Sequence, residues 1–314
     1  SKGNIMKYVQ YINSLINEVV KNQSKIVIFG QNINAGSSLS GLSKGLSIQD
    51  DSLIINTQNS ENSLVGVGFG LMLNNVSSVF FMKQMDFLIL GIDHLVNTYN
   101  IIRQENPNAS FTIFPIIVDS GYEGPQSALN NFDDFCSIAG VEGYSFTNME
   151  DAKVIISEHL FKPGFRILST GQRLLKEDAI DLKVLQIAPN SEYFQYKKGV
   201  DATVVCFNQA LPYGITLDEY MHKKSISASL FSINSHLYAD YSLILDDISV
   251  TNRLVIIDDS KSRNRLSYRF LSEVLAHCKI KKYKLISRQP KNDDFYPRND
   301  SLEINYSNII KEIF

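Results

Sequence analysis

Residues 59–71 read Asn-Ser-Glu-Asn-Ser-Leu-Val-Gly-Val-Gly-Phe-Gly-Leu, a single carboxylate followed mainly by small and apolar residues. Short apolar runs at 52–56 and 79–82 flank this stretch. The pattern predicts a helix over 63–73 that connects two buried strands. Taken alone, Glu61 is a carboxylate at the start of a helix, where the helix dipole favours negative charge by less than about 1 kcal/mol.

The glycines at 66, 68 and 70 do not form a standard dinucleotide-binding motif. That motif, GxGxxG, directly follows a strand, and its third glycine allows helix and sheet to pack closely. Here the third glycine comes one residue early, and the strand predicted at 52–56 ends well upstream. We expect these glycines to let a helix pack closely, and a nucleotide-binding α/β protein is a weaker alternative.

Strands and helices alternate on both sides of this stretch, which is typical of an α/β protein with mainly parallel sheets covered on both faces. In the first half, the predicted strands are 25–30, 52–56, 79–82, 111–118 and 165–168, and the predicted helices are 7–21, 63–73, 88–103 and 151–160. In the second half, the predicted strands are 202–207, 228–233, 253–257 and 282–286, and the predicted helices lie near 217–224, 239–245 and 266–277. Because 314 residues suit two domains, we predict two three-layer α/β domains, 1–185 and 199–314, joined by a linker at 186–198.

The composition argues against several classes of protein. Lys and Arg total 30 against 33 Asp and Glu, and the net charge of −3 argues against a protein that coats nucleic acid. No apolar run reaches the roughly 18 residues that a membrane span needs, and the first residues lack the pattern of a secretion signal. The histidines are scattered, which predicts no local metal site. Three dispersed cysteines favour a reducing, cytoplasmic location.

The polar segment 258–263, Asp-Asp-Ser-Lys-Ser-Arg, directly follows a predicted buried strand. Four of its six residues carry a charge, and charged side chains are rarely buried without partners. The segment is predicted to be a solvated turn that caps the next helix, and contact with a partner or a substrate is a weaker alternative.

The region 61–97 resembles the pyrimidine-binding domain of thiamine-diphosphate enzymes, the family of transketolases and of the beta chains of 2-oxoacid dehydrogenases. Glu61 and the glycines five and nine residues later match that family's E-x-x-x-x-G-x-x-x-G segment. The stretch 79–87 is similar to the strand and loop that line the family's aminopyrimidine pocket, and 92–97 is similar to its I-D-Q-[VI]-x-N helix. Pattern-level similarity covers nearly the whole chain, and 199–205 looks like the first strand of the transketolase C-terminal domain.

The resemblance implies roles for individual residues in binding thiamine diphosphate. Glu61 is the candidate catalytic residue, because the family's carboxyl at this place hydrogen-bonds the pyrimidine ring and controls its tautomer. Phe87 is expected to stack on that ring. Asn59 and Lys83 are expected to flank it.

One loop departs from the family's pattern. The family has a D-G-P-T-H loop whose histidine binds or protonates the substrate, whereas residues 123–127 here read Glu-Gly-Pro-Gln-Ser. Gln126 or Ser127 therefore takes the place of the histidine as the candidate substrate residue. Neither can carry protons near pH 7 as histidine does. Reactions that need this histidine are expected to be slow or absent unless the partner chain supplies a substitute.

The resemblance also implies a second chain. The family binds the diphosphate and its Mg²⁺ through a GDG segment followed by an asparagine, because this hard cation takes oxygen ligands. No GDG occurs in this sequence. We therefore expect no metal ligand on this chain, and an alpha-like subunit that carries the GDG…N motif and binds Mg²⁺ and the diphosphate. An α2β2 assembly follows, with a homodimer when the chain is isolated.

The activity that the resemblance implies is the cleavage or formation of a C–C bond next to a carbonyl. A 2-oxoacid dehydrogenase or decarboxylase and a transketolase-type ketol transfer are both open. The alternative is a non-catalytic structural or regulatory subunit that kept the fold, and the missing histidine motivates it.

Overall fold

The computed structural model describes residues 5–105, 107–120, 124, 126–127, 129–288 and 302–314. Within these residues the chain forms two six-stranded, mainly parallel sheets with helices on their faces. The predicted α/β fold class is therefore confirmed. No helix in the described ranges is long and apolar enough to cross a membrane.

The first sheet is entirely parallel and has the strand order β2-β1-β3-β4-β6-β5. Its strands are β1 (Ile26–Gly30), β2 (Leu53–Asn56), β3 (Ser77–Met82), β4 (Ser110–Ile117), β5 (Gly143–Ser145) and β6 (Gly164–Gly171). Its helices are α1 (Tyr8–Val20), α2 (Glu61–Leu73), α3 (Tyr99–Ile102), α4 (Phe132–Ala139), α5 (Met149–His159) and α6 (Gln172–Leu175). Every residue of β4 is buried, as expected for a central strand of a sheet covered on both faces.

The second sheet is mixed and has the order β12-β11-β9-β10-β8-β7. Its strands are β7 (Gln186–Ile187), β8 (Tyr193–Lys197), β9 (Ala202–Phe207), β10 (Ala228–Ile233), β11 (Arg253–Asp258) and β12 (Lys282–Ser287). Its helices are α7 (Leu211–His222), α8 (Ser242–Thr251), α9 (Leu266–His277) and α10 (Tyr306–Ile313). Five strands run in the same direction, whereas β8 runs antiparallel to both of its neighbours, β10 and β7.

The apolar core continues from one sheet to the other. On one face of the first sheet, α1 and α5 pack over residues such as Phe114, and this cluster extends to Val204 and Leu230 of the second sheet. The opposite face packs under α2 and α4 and is rich in phenylalanine, including Phe111 and Phe165. Because α2 packs on this aromatic cluster, the cluster determines the position of Glu61, the first residue of α2.

In two predicted segments the secondary structure differs in kind from the prediction. Residues 88–103 do not form one α-helix but a 3-10 helix (Met85–Gly91), a π-helical turn (His94–Thr98) and α3. Residues 186–198, predicted as a linker, include β7 and β8, because residues 193–196 are buried and pair with β10. The exact limits of the two predicted domains stay a prediction.

Candidate cofactor site

The predicted site residues follow strands whose carboxyl ends meet at one edge of the first sheet. Parallel β1 pairs with both β2 and β3, so the three strands end side by side. At Gly30, the last residue of β1, a Cβ atom would lie 2.2 Å from the backbone oxygen of Phe81 in β3. Only glycine permits this approach. In open α/β sheets, the carboxyl ends of the strands are where ligands bind.

Glu61 is the first residue of α2 and is half-buried. The first N–H groups of a helix have no partner within the helix, and the side chain of Ser60, the preceding N-cap residue, does not cap them. A carboxylate at this place is therefore favoured by the helix end as well as available to a ligand. Asn59, two residues earlier, is exposed.

Lys83 and Phe87 lie on the segment that follows β3. Lys83 is exposed, whereas Phe87 is half-buried in the 3-10 helix and packs against the aromatic core cluster. At the end of this helix, a Cβ atom on Gly91 would lie 2.7 Å from Cγ2 of Val65 and 3.3 Å from the backbone oxygen of Glu61. The 3-10 helix thus packs directly on the first turns of α2.

The glycines of α2 serve close packing, although not all in the same way. A Cβ atom on Gly68 would lie 2.1 Å from the ring of Phe111, and one on Gly66 would lie 2.9 Å from Nε2 of His94. A Cβ atom on Gly70 would meet nothing within 4 Å. Gly66 and Gly68 therefore hold α2 against the sheet and against the segment that follows the 3-10 helix.

Ser127 is hydrogen-bonded to the segment that carries Lys83. Its side chain is buried, and its Oγ donates a hydrogen bond of 2.8 Å to Oε1 of Gln84. Gln126 is exposed. Glu123 and Pro125, which belong to the same predicted loop, lie outside the described residues.

Two residues of this region were not predicted from the sequence. Gln84 and Asp86 are buried although they are polar. Asp86 Oδ1 accepts a hydrogen bond of 3.3 Å from the backbone N of Leu129, so both residues connect the end of β3 to the loop of Ser127. Their alternation with Met85 and Phe87 directly after a buried strand is the signal that could have indicated them.

The structure thus places Glu61, Lys83, Phe87 and Ser127 on segments that contact one another, with Asn59 and Gln126 close in the chain to Glu61 and Ser127. Glu61 starts α2, while Lys83 and Phe87 belong to the segment that packs on it and to which Ser127 is hydrogen-bonded. The exposed side chains of Asn59 and Gln126 form no hydrogen bond with these segments among the described residues. Within the same residues, no group of three or more His, Cys, Asp or Glu side chains could hold a metal ion.

The polar segment 258–263 is largely buried, so the prediction of a solvated turn was wrong. Asp258 and Asp259 expose no surface. Arg173, which follows β6, donates a hydrogen bond of 3.0 Å from Nη2 to Oδ2 of Asp259 and so joins the two sheets. Burial and the nearby charge of Asp133 raise the pKa of Asp258.

His236, which follows β10, inserts into the first sheet and forms a second link. Its Nδ1 lies 2.7 Å from Oδ1 of Asp133, and its Nε2 lies 2.7 Å from Oγ of Ser145. The three side chains have the connectivity of a serine–histidine–aspartate triad, but Ser145, His236 and Asp133 expose only 1%, 3% and 3% of their surface. A nucleophile needs access to its substrate, so this chain of hydrogen bonds is a joint between the two sheets.

Comparison with known proteins adds relatives over most of the chain. This chain is 21% identical over 291 residues to the 2-oxoisovalerate dehydrogenase subunit beta of Bacillus subtilis. The alignment covers 87% of this chain and 85% of that protein. This chain is 20% identical over 279 residues to the mitochondrial pyruvate dehydrogenase E1 component subunit beta of Dictyostelium discoideum, with 85% and 77% covered. No family model matches the chain.

Among solved structures, a split gene transketolase described as an inactive beta4 tetramer superimposes with a TM-score of 0.66. It is 13% identical and covers 97% of this chain and 95% of its own, so this likeness concerns the fold. The two sheets and this superposition define a transketolase-like α/β fold. Its sequence relatives are beta subunits of 2-oxoacid dehydrogenases, which this chain resembles over most of its length.

Proposed function

We propose that this chain is the beta-like subunit of a thiamine-diphosphate enzyme that breaks or forms a C–C bond next to a carbonyl. The observation that carries the proposal is the contact between two segments at the carboxyl edge of the first sheet. One segment begins with the half-buried carboxyl of Glu61, and the other presents the half-buried ring of Phe87. A carboxyl and an aromatic ring are the groups that suit an aminopyrimidine ring.

When bound, thiamine diphosphate supplies a carbon acid whose carbanion adds to a carbonyl and then accepts electrons. The task of this chain is to control protons and orientation. The carboxyl of Glu61 would hold a proton at a nitrogen of the pyrimidine ring, which is acid–base catalysis through the cofactor. The ring of Phe87 would stack on the pyrimidine and exclude water, while Lys83 and Asn59 would flank it.

The proposal needs a second subunit for the diphosphate and Mg²⁺. The sequence contains no GDG segment, so we assign both to an alpha-like partner that carries GDG and a downstream asparagine. Ile89 and Leu90 of the 3-10 helix beside Phe87 are 45% and 55% exposed, and apolar groups at this place suit burial by a partner. The inactive beta4 tetramer of the split transketolase supports self-association of the isolated chain without turnover.

This chain lacks a histidine at the position where the resembled family has one, and this difference limits the reactions that it can support. Ser127 donates its hydroxyl hydrogen bond to Gln84, and a serine hydroxyl does not exchange protons near pH 7 as an imidazole does. We therefore expect slow turnover in steps that need a proton at the substrate, unless the partner supplies the group. Use of a lipoyl acceptor would identify a 2-oxoacid dehydrogenase, and use of an aldose acceptor would identify ketol transfer.

Substitution of Glu61 tests the proposal. In the complex with the partner, Glu61→Gln is expected to lower kcat at least about tenfold, because Gln cannot give or take the proton. Glu18→Gln, on an exposed site of α1 at the opposite face of the first sheet, is the matched control and should keep full turnover.

Unchanged turnover in Glu61→Gln would favour the second candidate, a structural or regulatory subunit. The observation behind that candidate is the engagement of Ser127 with Gln84 at the place of the missing histidine. A cytoplasmic location remains part of the proposal, and fractionation of cells checks it.

A further inference from the structure

The second sheet holds the segment that leads from Ser127 into α4. Asn130 is 2% exposed, and its side-chain Nδ2 donates a hydrogen bond of 2.9 Å to the backbone oxygen of Asp259. The backbone oxygen of Asn130 accepts hydrogen bonds from Lys261 N at 2.8 Å and from Ser260 Oγ at 3.1 Å. One residue therefore makes three hydrogen bonds to the turn between β11 and α9, residues 259–265, named the β11 turn.

The β11 turn is itself fixed, so it can act as a rigid support. Arg288 donates from Nε to the same oxygen of Asp259 at 2.9 Å, and Arg265 donates from Nε to the oxygen of Ser260 at 3.1 Å. The backbone N of Leu266 donates to Oδ2 of Asp133, one turn further along the supported segment.

The residues around Ser127 are also hydrogen-bonded to the segment that follows β3 of the first sheet. Ser127 is bonded to Gln84, and Leu129 is bonded to Asp86, both on the segment that carries Phe87. The position of Ser127 thus depends on two supports, the end of β3 and the β11 turn. The β11 turn acts through Asn130, only three residues away in the chain.

We propose that the second sheet positions Gln126 and Ser127 at the candidate site, and that Asn130 is the positioning residue. The inference rests on the proposed function, in which this loop faces the substrate. Small errors in orientation are costly in catalysis, because a displacement of about 1 Å can lower a rate by about a hundredfold. Loss of the Asn130 support should therefore affect the substrate more than the cofactor, whose proposed contacts lie on α2 and the 3-10 helix.

The variant Asn130→Asp tests the proposal on the full chain in complex with the partner. Aspartate keeps the size of asparagine and tolerates the positive φ of 44° at this residue, but it has no donor for the Asp259 oxygen. Asn252→Asp is the matched control, since Asn252 has φ 57° at the end of α8 and bonds only to Val250 through its side chain among the described residues.

In hydrogen exchange, we expect the amides of Ser127 and Leu129 to exchange at least about tenfold faster in Asn130→Asp and unchanged in Asn252→Asp. In kinetics, we expect KM for the substrate to rise at least about tenfold while the Kd for thiamine diphosphate stays the same. Unchanged exchange, unchanged KM, or an equal loss of both affinities would overturn the proposal.

Asn130→Gly accepts the same backbone conformation and serves if the aspartate variant does not fold. A wild-type complex without turnover on any substrate would overturn the proposed function, and with it the role of the loop toward substrate. Amide exchange as slow in the Asn130 variants as in the wild type would overturn the positioning role of Asn130 but not the proposed function. The two failures are therefore distinguishable.

Discussion

Glu61 could be singled out from the sequence because its spacing from Gly66 and Gly70 resembles the E-x-x-x-x-G-x-x-x-G segment of a known family. The carboxyl must start a helix, and the helix must pack closely enough to hold it at the strand ends. The contacts of Gln84, Asp86 and Asn130 could not be predicted in the same way. Their partners lie 43 residues away for the first two and 129 residues away for the third, and no local pattern shows such contacts.

At the residue scale, α2 offers a matched pair of glycines. Gly68→Ala would place a Cβ atom 2.1 Å from the ring of Phe111, and such overpacking costs about 1–3 kcal/mol. Gly70→Ala meets nothing within 4 Å and should stabilise the helix by about 0.5–1 kcal/mol. Urea unfolding of the two variants measures both values. Equal effects of the two substitutions would contradict the account of α2 packing.

At the scale of elements, periodicity predicted the parallel strands and most long helices, because burial of one face dictates the spacing of apolar residues. It failed where tertiary contacts decide. The predicted helix 88–103 is divided at Gly91, where the 3-10 helix ends and packs closely on α2. The short strands β7 and β8 were read as a linker, and the charges of 258–263 were read as exposed although Arg173, 86 residues from Asp259 in the chain, neutralises one of them.

A buried carboxyl at the start of α5 is hydrogen-bonded to the second sheet, and its titration makes the free energy of unfolding depend on pH. Asp151 accepts hydrogen bonds from the backbone N of Thr147 and Asn148 and from the hydroxyl of Tyr196 in β8. Burial raises the pKa of Asp151 to about 6, even though these donors oppose the shift. The unfolded chain releases this proton near pH 4.

Between about pH 4 and pH 6, the folded chain therefore holds a proton on Asp151 that the unfolded chain has lost. The contribution of this residue to stability is fully present below pH 4 and is lost as the pH rises through 6. We expect the free energy of unfolding of Asp151→Asn to fall less steeply over this window than that of the wild type. Parallel curves from urea unfolding at several pH values would show that Asp151 does not titrate in this way.

At the scale of the molecule, two sheets with a continuous core carry one half of a proposed active site. The links at Arg173, His236 and Asn130 join the sheets into one unit and place the second sheet behind the loop of Ser127. The two sheets could be predicted from the sequence, which also shows that no GDG segment is present. The links between the sheets could be identified only in the fold. In the proposed function, this chain completes a thiamine-diphosphate site only with a partner.

Calorimetric titration of thiamine diphosphate in the presence of Mg²⁺ tests that claim most directly. We predict binding to the complex of this chain with a GDG-bearing partner, none to this chain alone, and at least about tenfold weaker binding to the Glu61→Gln complex, equal to about 1.4 kcal/mol. Binding of equal strength to the partner alone or to the Glu61→Gln complex would contradict the account.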